Sequence, residues 1–307
     1  MTDTQTEFRS GFVAIVGKPN VGKSTLMNAI LKQQVAAVSI RPQTTRKRQL
    51  GILTTENAQI IFIDTPGLHE IHYKLSSFIN AEALSALHDA DLILFLVNLN
   101  SLPDSEDERL AAEIAANASG TSLIMVLNKA DLASTSNKTR NLSAYKVLAS
   151  TDQTLEISAL KNQNVDKLVS LIVASLPEGP QYYPEDQVTD YYEREIAADL
   201  IRAACLEYLE DEVPHAVAVR VDDYQERDEQ NAYIKATIFV EREAQKGIVI
   251  GKGGLMIKQI GSKARQEIEA MSDRKIYLDL SVKVEKNWRN NPQVLKQFGY
   301  VFDGGIK

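Results

Sequence analysis

The run Phe12-Val13-Ala14-Ile15-Val16 passes directly into Gly17-Lys18-Pro19-Asn20-Val21-Gly22-Lys23-Ser24, followed by the helical pattern of residues 25–31. A buried strand, a loop of the form G-x-x-x-x-G-K-[ST] and a helix make up the phosphate-binding loop. Glycines let the backbone curl so that successive N–H groups face phosphate oxygens, and the helix adds the positive end of its dipole. Lys23 is placed to reach the β- and γ-phosphates, and Ser24 to ligate Mg2+. With Gly17, Asn20, Val21, Gly22 and Thr25 these residues form the expected phosphate cradle.

The same rhythm continues outward. Apolar runs at 59–63, 92–97, 123–127 and, more weakly, 154–157 alternate with helical segments such as 75–88 and 107–116. Strands buried on both faces and separated by helices predict a mostly parallel sheet. Asp64-Thr65-Pro66-Gly67 ends the 59–63 run, so Asp64 is expected to hold Mg2+ through water and the Gly67 N–H to sense the γ-phosphate. Asn128-Lys129-Ala130-Asp131 ends the 123–127 run. Asp131 is suited to accept both N–H donors on the guanine edge, which adenine does not offer. Asn128 would brace the loops, the Lys129 stem would cover the base, and Ser158-Ala159 would set a backbone N–H at the guanine O6. Four such motifs in order select GTP over ATP.

The chain has 307 residues, which suggests two domains. One cysteine, Cys205, excludes an internal disulfide, and no cysteine cluster exists to hold zinc. The longest apolar run, residues 92–97, is too short to cross a bilayer, and the N-terminus lacks a signal-peptide layout. A reducing, cytoplasmic setting is expected. His69-Glu70-Ile71-His72 places its histidines three apart rather than the four a helical zinc site needs. Net charge is −7 overall, but −2 over residues 1–180, −11 over 181–230 and +6 over 231–307. A basic C-terminal segment is thus hidden behind an acidic middle, and a local basic face is what a polyanion meets.

Three prolines and a glycine in residues 176–187 predict a linker. The expected organisation is a tail (1–10), a nucleotide-binding domain (11–175), the linker (176–187) and a smaller α+β domain (188–307). In the last of these, 188–209 reads as a helix with Ile196, Leu200, Ile201, Ala204, Leu206 and Leu209 inward, and Cys205 reads as core. Residues 215–222 and 232–241 read as strands, 255–270 as a helix and 275–284 as an alternating strand. Gly251-Lys252-Gly253-Gly254 lies between a strand-like apolar lead, Val249-Ile250, and that helix. A G-x-x-G loop of this kind clamps about four nucleotides of single-stranded RNA. Lys252 is its basic residue, and Ile248, Ile250, Leu255 and Ile257 are candidates to pack under bases. Lys246, Lys258, Lys263, Arg265, Lys283, Lys286 and Arg289 could extend a phosphate-facing surface. Trp288 is assigned either to packing or to base stacking.

Residues 11–175 are similar to the translation-factor-related GTPases, and the order helix–strand–strand–helix–strand around G-x-x-G resembles a type II KH domain. With Glu212-Val213-Pro214-His215-Ala216-Val217 at the junction, residues 10–303 closely resemble the bacterial Era family of GTPases. The resemblance implies an α/β P-loop GTPase fold with a type II KH domain, slow GTP hydrolysis to GDP, and Mg2+ as cofactor. It implies binding to the 3′ end of 16S rRNA during 30S subunit maturation, and peripheral association with the inner membrane. Thr45 matches the switch threonine that ligates Mg2+ in the GTP state, with Thr44 the alternative, so Lys23, Thr45 and Gly67 form the expected catalytic set. Arg46, Lys47 and Arg48 are either an exposed loop or a contact for RNA or a partner. Where Ras-like proteins carry a water-orienting glutamine after D-x-x-G, this chain has Leu68. Asn20 matches the loop asparagine that helps hold K+ in potassium-stimulated relatives. An RNA chaperone with GTP as structural ligand, or a membrane-recruited signalling GTPase, are the alternatives, and a monomer is the default state.

Overall fold

A computed structural model describes residues 8–38, 45–66, 73–118, 120–149, 151 and 153–300. Gly67, Leu68, Thr44 and the His69–His72 pair fall outside them. The chain forms two units. The first comprises residues 1–35, 48–68 and 81–190, and the second residues 36–47, 69–80 and 191–307.

In chain order the first unit carries β1 (Arg9–Val16), α1 (Lys23–Leu31), β2 (Gln49–Thr54) and β3 (Ala58–Asp64). Then come α2 (Lys74–His88), β4 (Leu92–Asn98), α3 (Ser105–Asn117), β5 (Ser122–Asn128), α4 (Thr135–Leu148), β6 (Thr154–Glu156) and α5 (Val165–Ser175). The residues of α2 before Ala81 cluster with the second unit. The sheet order is β2-β3-β1-β4-β5-β6, and only β2 runs antiparallel to its neighbour. All seven residues of β3 are buried, as a strand covered on both faces requires. The strand β2 had no counterpart among the sequence runs. It begins at Gln49, directly after the basic Arg46-Lys47-Arg48, and only Leu50 and Ile52 mark it, packing with Ile61, Ile63 and Ala86.

The register matters for function. Ile15 pairs with Asp64, Asn98 with Asn128, and Leu127 with Glu156. The loops after β1, β3, β5 and β6 therefore leave the same edge, at the carboxyl ends of the parallel strands, where α/β sheets bind ligands. Residues 176–190 lie along this unit: Ser10 N–H donates to Pro177 O, Tyr182 and Tyr183 N–H to Gln59 Oε1, and Ile52 N–H to Val188 O.

The second unit holds α6 (Glu193–Tyr208), β7 (Ala218–Glu226), β8 (Asn231–Val240), α7 (Glu243–Ile250), α8 (Leu255–Ser272), β9 (Lys275–Val284) and α9 (Pro292–Gln297). The sheet order is β7-β8-β9, antiparallel then parallel. Leu200, Ile201, Ala204 and Cys205 of α6 meet Ile234, Ala236 and Ile238 of β8 and Ile260, Ala264 and Ile268 of α8. Each large aliphatic side chain so buried contributes about 1.5–3 kcal/mol. A second cluster joins Leu75, Phe78 and Ile79 to Phe239, Trp288, Leu295, Phe298 and Tyr300.

Three sequence expectations change. The lead to G-x-x-G is the last turn of helix α7, not a strand, because Gln245 Oε1 caps its start by accepting from Glu241 and Arg242 N–H. Val249 then faces the core one turn on; a three-residue apolar run does not by itself separate helix from strand. The first KH-type strand starts at Ala218 rather than 215, since Pro214-His215-Ala216 forms a 3-10 turn. Arg46 is neither exposed nor offered to RNA. It is 2% exposed and donates to Val217 O at 2.9 Å and His215 O at 3.3 Å, with Trp288 beneath its guanidinium.

Candidate functional site: a braced nucleotide cradle and a G-x-x-G groove

The cradle is built around α1. Its N-cap is Gly22, at φ 107°, with no side chain capping the first turn and no acidic residue in it. Only glycine takes this backbone readily. A Cβ there would lie 2.4 Å from Asn128 Nδ2. The helix N–H groups are thus left for an anion. In α3, by contrast, Asp104 accepts from Glu106 and Asp107 N–H and closes a capping box. Lys23 is buried and its ammonium spans the loop, donating to Gly17 O at 2.8 Å and Lys18 O at 3.2 Å. Burial holds its pKa below the ordinary lysine value, against the pull of Asp64. A phosphate would take the place of these carbonyls as partner and favour the charged ammonium.

Ser24 Oγ donates to Asp64 Oδ2 at 2.8 Å, and Asp64 is fully buried. A hydroxyl beside a buried carboxylate is a hard oxygen pair that fits Mg2+, which takes few protein ligands and fills its octahedron with water and phosphate. Thr45 is half-buried and belongs to the 36–47 segment of the second unit.

Asn128 ties three loops together. Its Nδ2 donates to Val21 O and its Oδ1 accepts from Ala159 N–H, both at 2.9 Å. Ala130 N–H donates to Ile157 O, and Lys129, at φ 61°, reaches back to Asn20 O at 2.7 Å. Burial lowers the Lys129 pKa, as does Lys18. Ser158 is buried with its backbone paired to Gln163, while Asp131 is exposed at the rim.

One support was not visible in the sequence. Lys18 Nζ lies 2.7 Å from Asp104 Oδ2 and 2.8 Å from Asp107 Oδ2, anchoring the loop to the start of α3. Burial alone would lower the Lys18 pKa, but these two hydrogen bonds and the Asp107 charge raise it. Tyr145 donates to Asp107 from below, its own pKa pushed up to about 12 by burial and by that carboxylate.

In the second unit, Gly251, Gly253 and Gly254 stand at φ 72°, 59° and 78°, and the loop opens onto α8. Its N-cap, Gly254, also lacks a capping side chain and an acidic first turn. Beside it, a groove of about 510 Å³ lies between α8 and β9. Ile257, Leu278 and Leu280 line it, with Lys258 and Arg265 and the exposed ring of Tyr277. Tyr277 stacks on Tyr233 at 5.7 Å. Gly261 is where α8 approaches β9, its would-be Cβ 3.3 Å from Leu280. Ile250 and Ile257 also pack on the core, and Ile248 and Leu255 are exposed. Not every basic candidate is left to an anion: Lys263 pairs with Glu267, and Arg289 pairs with Glu241 while covering the Tyr73 ring. Trp288 is fully buried, its Nε1–H donating to Ala216 O, which settles it as a packing residue.

These two sites define a P-loop guanine-nucleotide-binding protein joined to a KH module. Residues 12–129 match the family model of a 50S ribosome-binding GTPase, and residues 212–289 that of the KH domain. Among solved structures, the chain is 37% identical to Era in complex with MgGDPNP and nucleotides 1506–1542 of 16S ribosomal RNA. That match covers 96% of this chain and 100% of the other, with a TM-score of 0.87. A Tyr-to-Ala variant of Aquifex aeolicus Era bound to GDP and AlF4− is also 37% identical, with the same coverage and a TM-score of 0.88. The chain belongs to the Era family of GTPases.

Proposed function

We propose that this chain is a GTP-hydrolysing, RNA-binding switch that grips the 3′ region of 16S rRNA and assists maturation of the 30S subunit precursor. The observation that carries the reading is the pairing, in one chain, of a cradle braced by Asn128 with a G-x-x-G loop opening onto an apolar and basic groove. The Era relative bound to MgGDPNP and 16S rRNA nucleotides supports the ligands on both sides. In this reading the nucleotide module spans residues 11–175 and the KH module 188–307, joined by 176–187.

Gly17, Asn20, Val21, Gly22, Lys23, Ser24 and Thr25 receive the phosphates, and Asn128, Lys129, Asp131, Ser158 and Ala159 select guanine. Lys23, Thr45 and the Gly67 N–H act at the γ-phosphate. Mg2+, held by Ser24 and Thr45 and through water by Asp64, would neutralise charge developing on the phosphates. Gly251, Lys252, Gly253 and Gly254 hold RNA backbone, while Ile250, Ile257 and Lys258 contribute the adjoining surface.

The direct test is affinity for an oligonucleotide carrying the 16S rRNA 3′ end, with protein loaded with GTP analogue or GDP. A scrambled RNA at fixed salt controls for charge, which alone gives salt-sensitive binding. Tight, sequence-selective binding that differs between the two nucleotide states is expected. Equal, weak binding in both states would overturn the RNA half of the reading.

With Leu68 unable to orient water, hydrolysis is slow, and K+ held beside Asn20 is the proposed assistant. Turnover unchanged on replacing K+ by Na+ would dismiss that role. Among the described residues no helix is long and apolar enough to cross a membrane. A cytoplasmic monomer with peripheral membrane association belongs to the same proposal and rests on the family resemblance.

A further inference from the structure

The two carbonyls that hold Lys23 belong to the peptide groups on either side of one Cα, that of Lys18. Lys23 Nζ donates to Gly17 O at 2.8 Å and to Lys18 O at 3.2 Å. Val21 N–H also donates to Lys18 O, at 3.4 Å, and closes a turn there. Pro19 comes next, and a residue before proline has a restricted backbone. The Lys18 side chain and its two peptide groups are therefore set together.

This piece of the loop is fixed from two sides. Gly17 rests against β4, so closely that a Cβ on it would fall 2.3 Å from Leu96 O. On the other side the Lys18 ammonium joins the capping box of α3. Asp104 uses Oδ1 for the helix, accepting from Glu106 and Asp107 N–H, and gives Oδ2 to Lys18. Asp107 Oδ2 accepts from Asp104 N–H, from Lys18 and from Tyr145. Its Oδ1 is buried with no hydrogen-bond partner, so Lys18 is the cation that this interior carboxylate faces. The helix does not depend on a nucleotide for its place: Leu110, Ala111 and Ile114 bury it in the same core as Phe95 and Val97 of β4. Asn128 holds the later part of the loop, at Val21, and Lys18 holds the part that carries Lys23.

We infer that Lys18 is a positioning residue for GTP hydrolysis: its bonds to the start of α3 set the two carbonyls that place the Lys23 ammonium at the γ-phosphate. The inference rests on the assignment of Lys23 to that phosphate. Charge moves between the phosphate oxygens as the phosphoryl group transfers, so a displaced ammonium loses more in the transition state than in the ground state. GDP has no γ-phosphate and is held also by the α1 N–H groups and the guanine loops, so its affinity depends far less on Lys18.

Removing Lys18 alone would strand the Asp107 charge in the interior. The link is therefore cut in the double variant Lys18→Met/Asp107→Asn and kept in Lys18→Arg, whose guanidinium fork suits two carboxylates. Single-turnover GTP hydrolysis by the full chain is measured at saturating Mg2+, with affinities for GDP and for GDP plus aluminium fluoride, which mimics the transferring phosphoryl group. In the double variant the rate constant and the affinity for the aluminium fluoride complex should each fall tenfold or more, while GDP affinity stays within a few-fold. Lys18→Arg should keep all three near wild type. A wild-type rate in the double variant, a loss in GDP affinity as large as the loss in rate, or a Lys18→Arg protein as slow as the double variant would overturn the inference. Lys23→Ala separates it from the reading it rests on: a wild-type rate there overturns both, whereas a slow Lys23→Ala beside a double variant of wild-type rate overturns the inference alone.

Discussion

The two motif loops share one device and differ in everything around it. Each delivers glycines to the start of a helix that has no capping side chain, α1 at Gly22 and α8 at Gly254. The nucleotide loop is then cross-braced from every side, by Asn128, by Lys129 and by the Lys18 link to Asp104 and Asp107. Among the described residues no side chain braces the G-x-x-G loop, and Lys252, Gly253 and Leu255 are exposed. The difference follows from the ligands. A small nucleotide is held by donors fixed before it arrives, so ordering costs are met in folding rather than in binding. A single strand of RNA is long and supple, and an open loop beside an apolar groove lets it settle along its length.

Asn128→Ala is the harshest way to break this contrast. It strands Val21 O and Ala159 N–H, and each buried group left without its partner costs about 1–3 kcal/mol. GDP affinity, followed by fluorescence of a labelled nucleotide, should fall by about a hundredfold, that is about 2.8 kcal/mol. A loss under about fivefold would mean that the cradle is not held by this residue. Lys252→Asp with Gly253→Asp sharpens the other side. Gly253 sits at φ 59°, which aspartate tolerates better than most residues, and a Cβ there meets nothing within 4 Å. RNA affinity should drop at least tenfold while the melting temperature and GDP affinity stay at wild-type values. A protein that melted early instead would show the loop to be structural.

The contrast also explains what the sequence disclosed. Phosphate and guanine recognition demand particular residue types at fixed spacing, so Gly22, Lys23, Asn128 and their strands could be read off, as could the inward face of α6. The Lys18–Asp107 pair could not, because its partners are 89 positions apart and each is an unremarkable surface type. Arg46 was hidden by its neighbours: in Arg46-Lys47-Arg48 nothing local separates a buried guanidinium from a solvated basic run. The wall lines of the α8–β9 groove were half legible. Leu278 and Leu280 share a face by alternation, but that α8 comes close enough at Gly261 to form a groove is a tertiary fact.

Asp107→Asn probes the hidden brace with a smaller effect. The Tyr145 hydroxyl keeps an oxygen to donate to, but Lys18 loses its buried counter-charge and retains only the exposed Asp104. A hydrogen bond to a charged group contributes about 1.5–3 kcal/mol, so chemical denaturation should report a loss of that order. GDP affinity should weaken only a few-fold, because Asn128 still holds the loop; a loss as large as that of Asn128→Ala would place the main brace at Lys18. The pH dependence has a sign. Hydrogen bonding to Asp104 and Asp107 outweighs burial and raises the Lys18 pKa, so its contribution is complete below the ordinary lysine value and fades only in stronger alkali.

The mildest test compares the interiors rather than the loops. Cys205 is fully buried in the second unit, and burial pushes its thiol up to about 12, with Arg202 pulling weakly the other way. Only the thiolate attacks alkylating reagents, so iodoacetamide near pH 8 should label native protein at a rate set by opening of that unit. Saturating GDP fills a site in the first unit; if labelling slows in proportion to GDP occupancy, the two interiors open together. If it does not, the second unit opens on its own. The raised thiol pKa adds a small alkaline instability, because the unfolded chain releases this proton near pH 9 while the native one holds it to about 12. Cys205→Ala should remove the component of stability loss that develops between those values. Rapid stoichiometric labelling of native protein at pH 8 would contradict the buried placement outright.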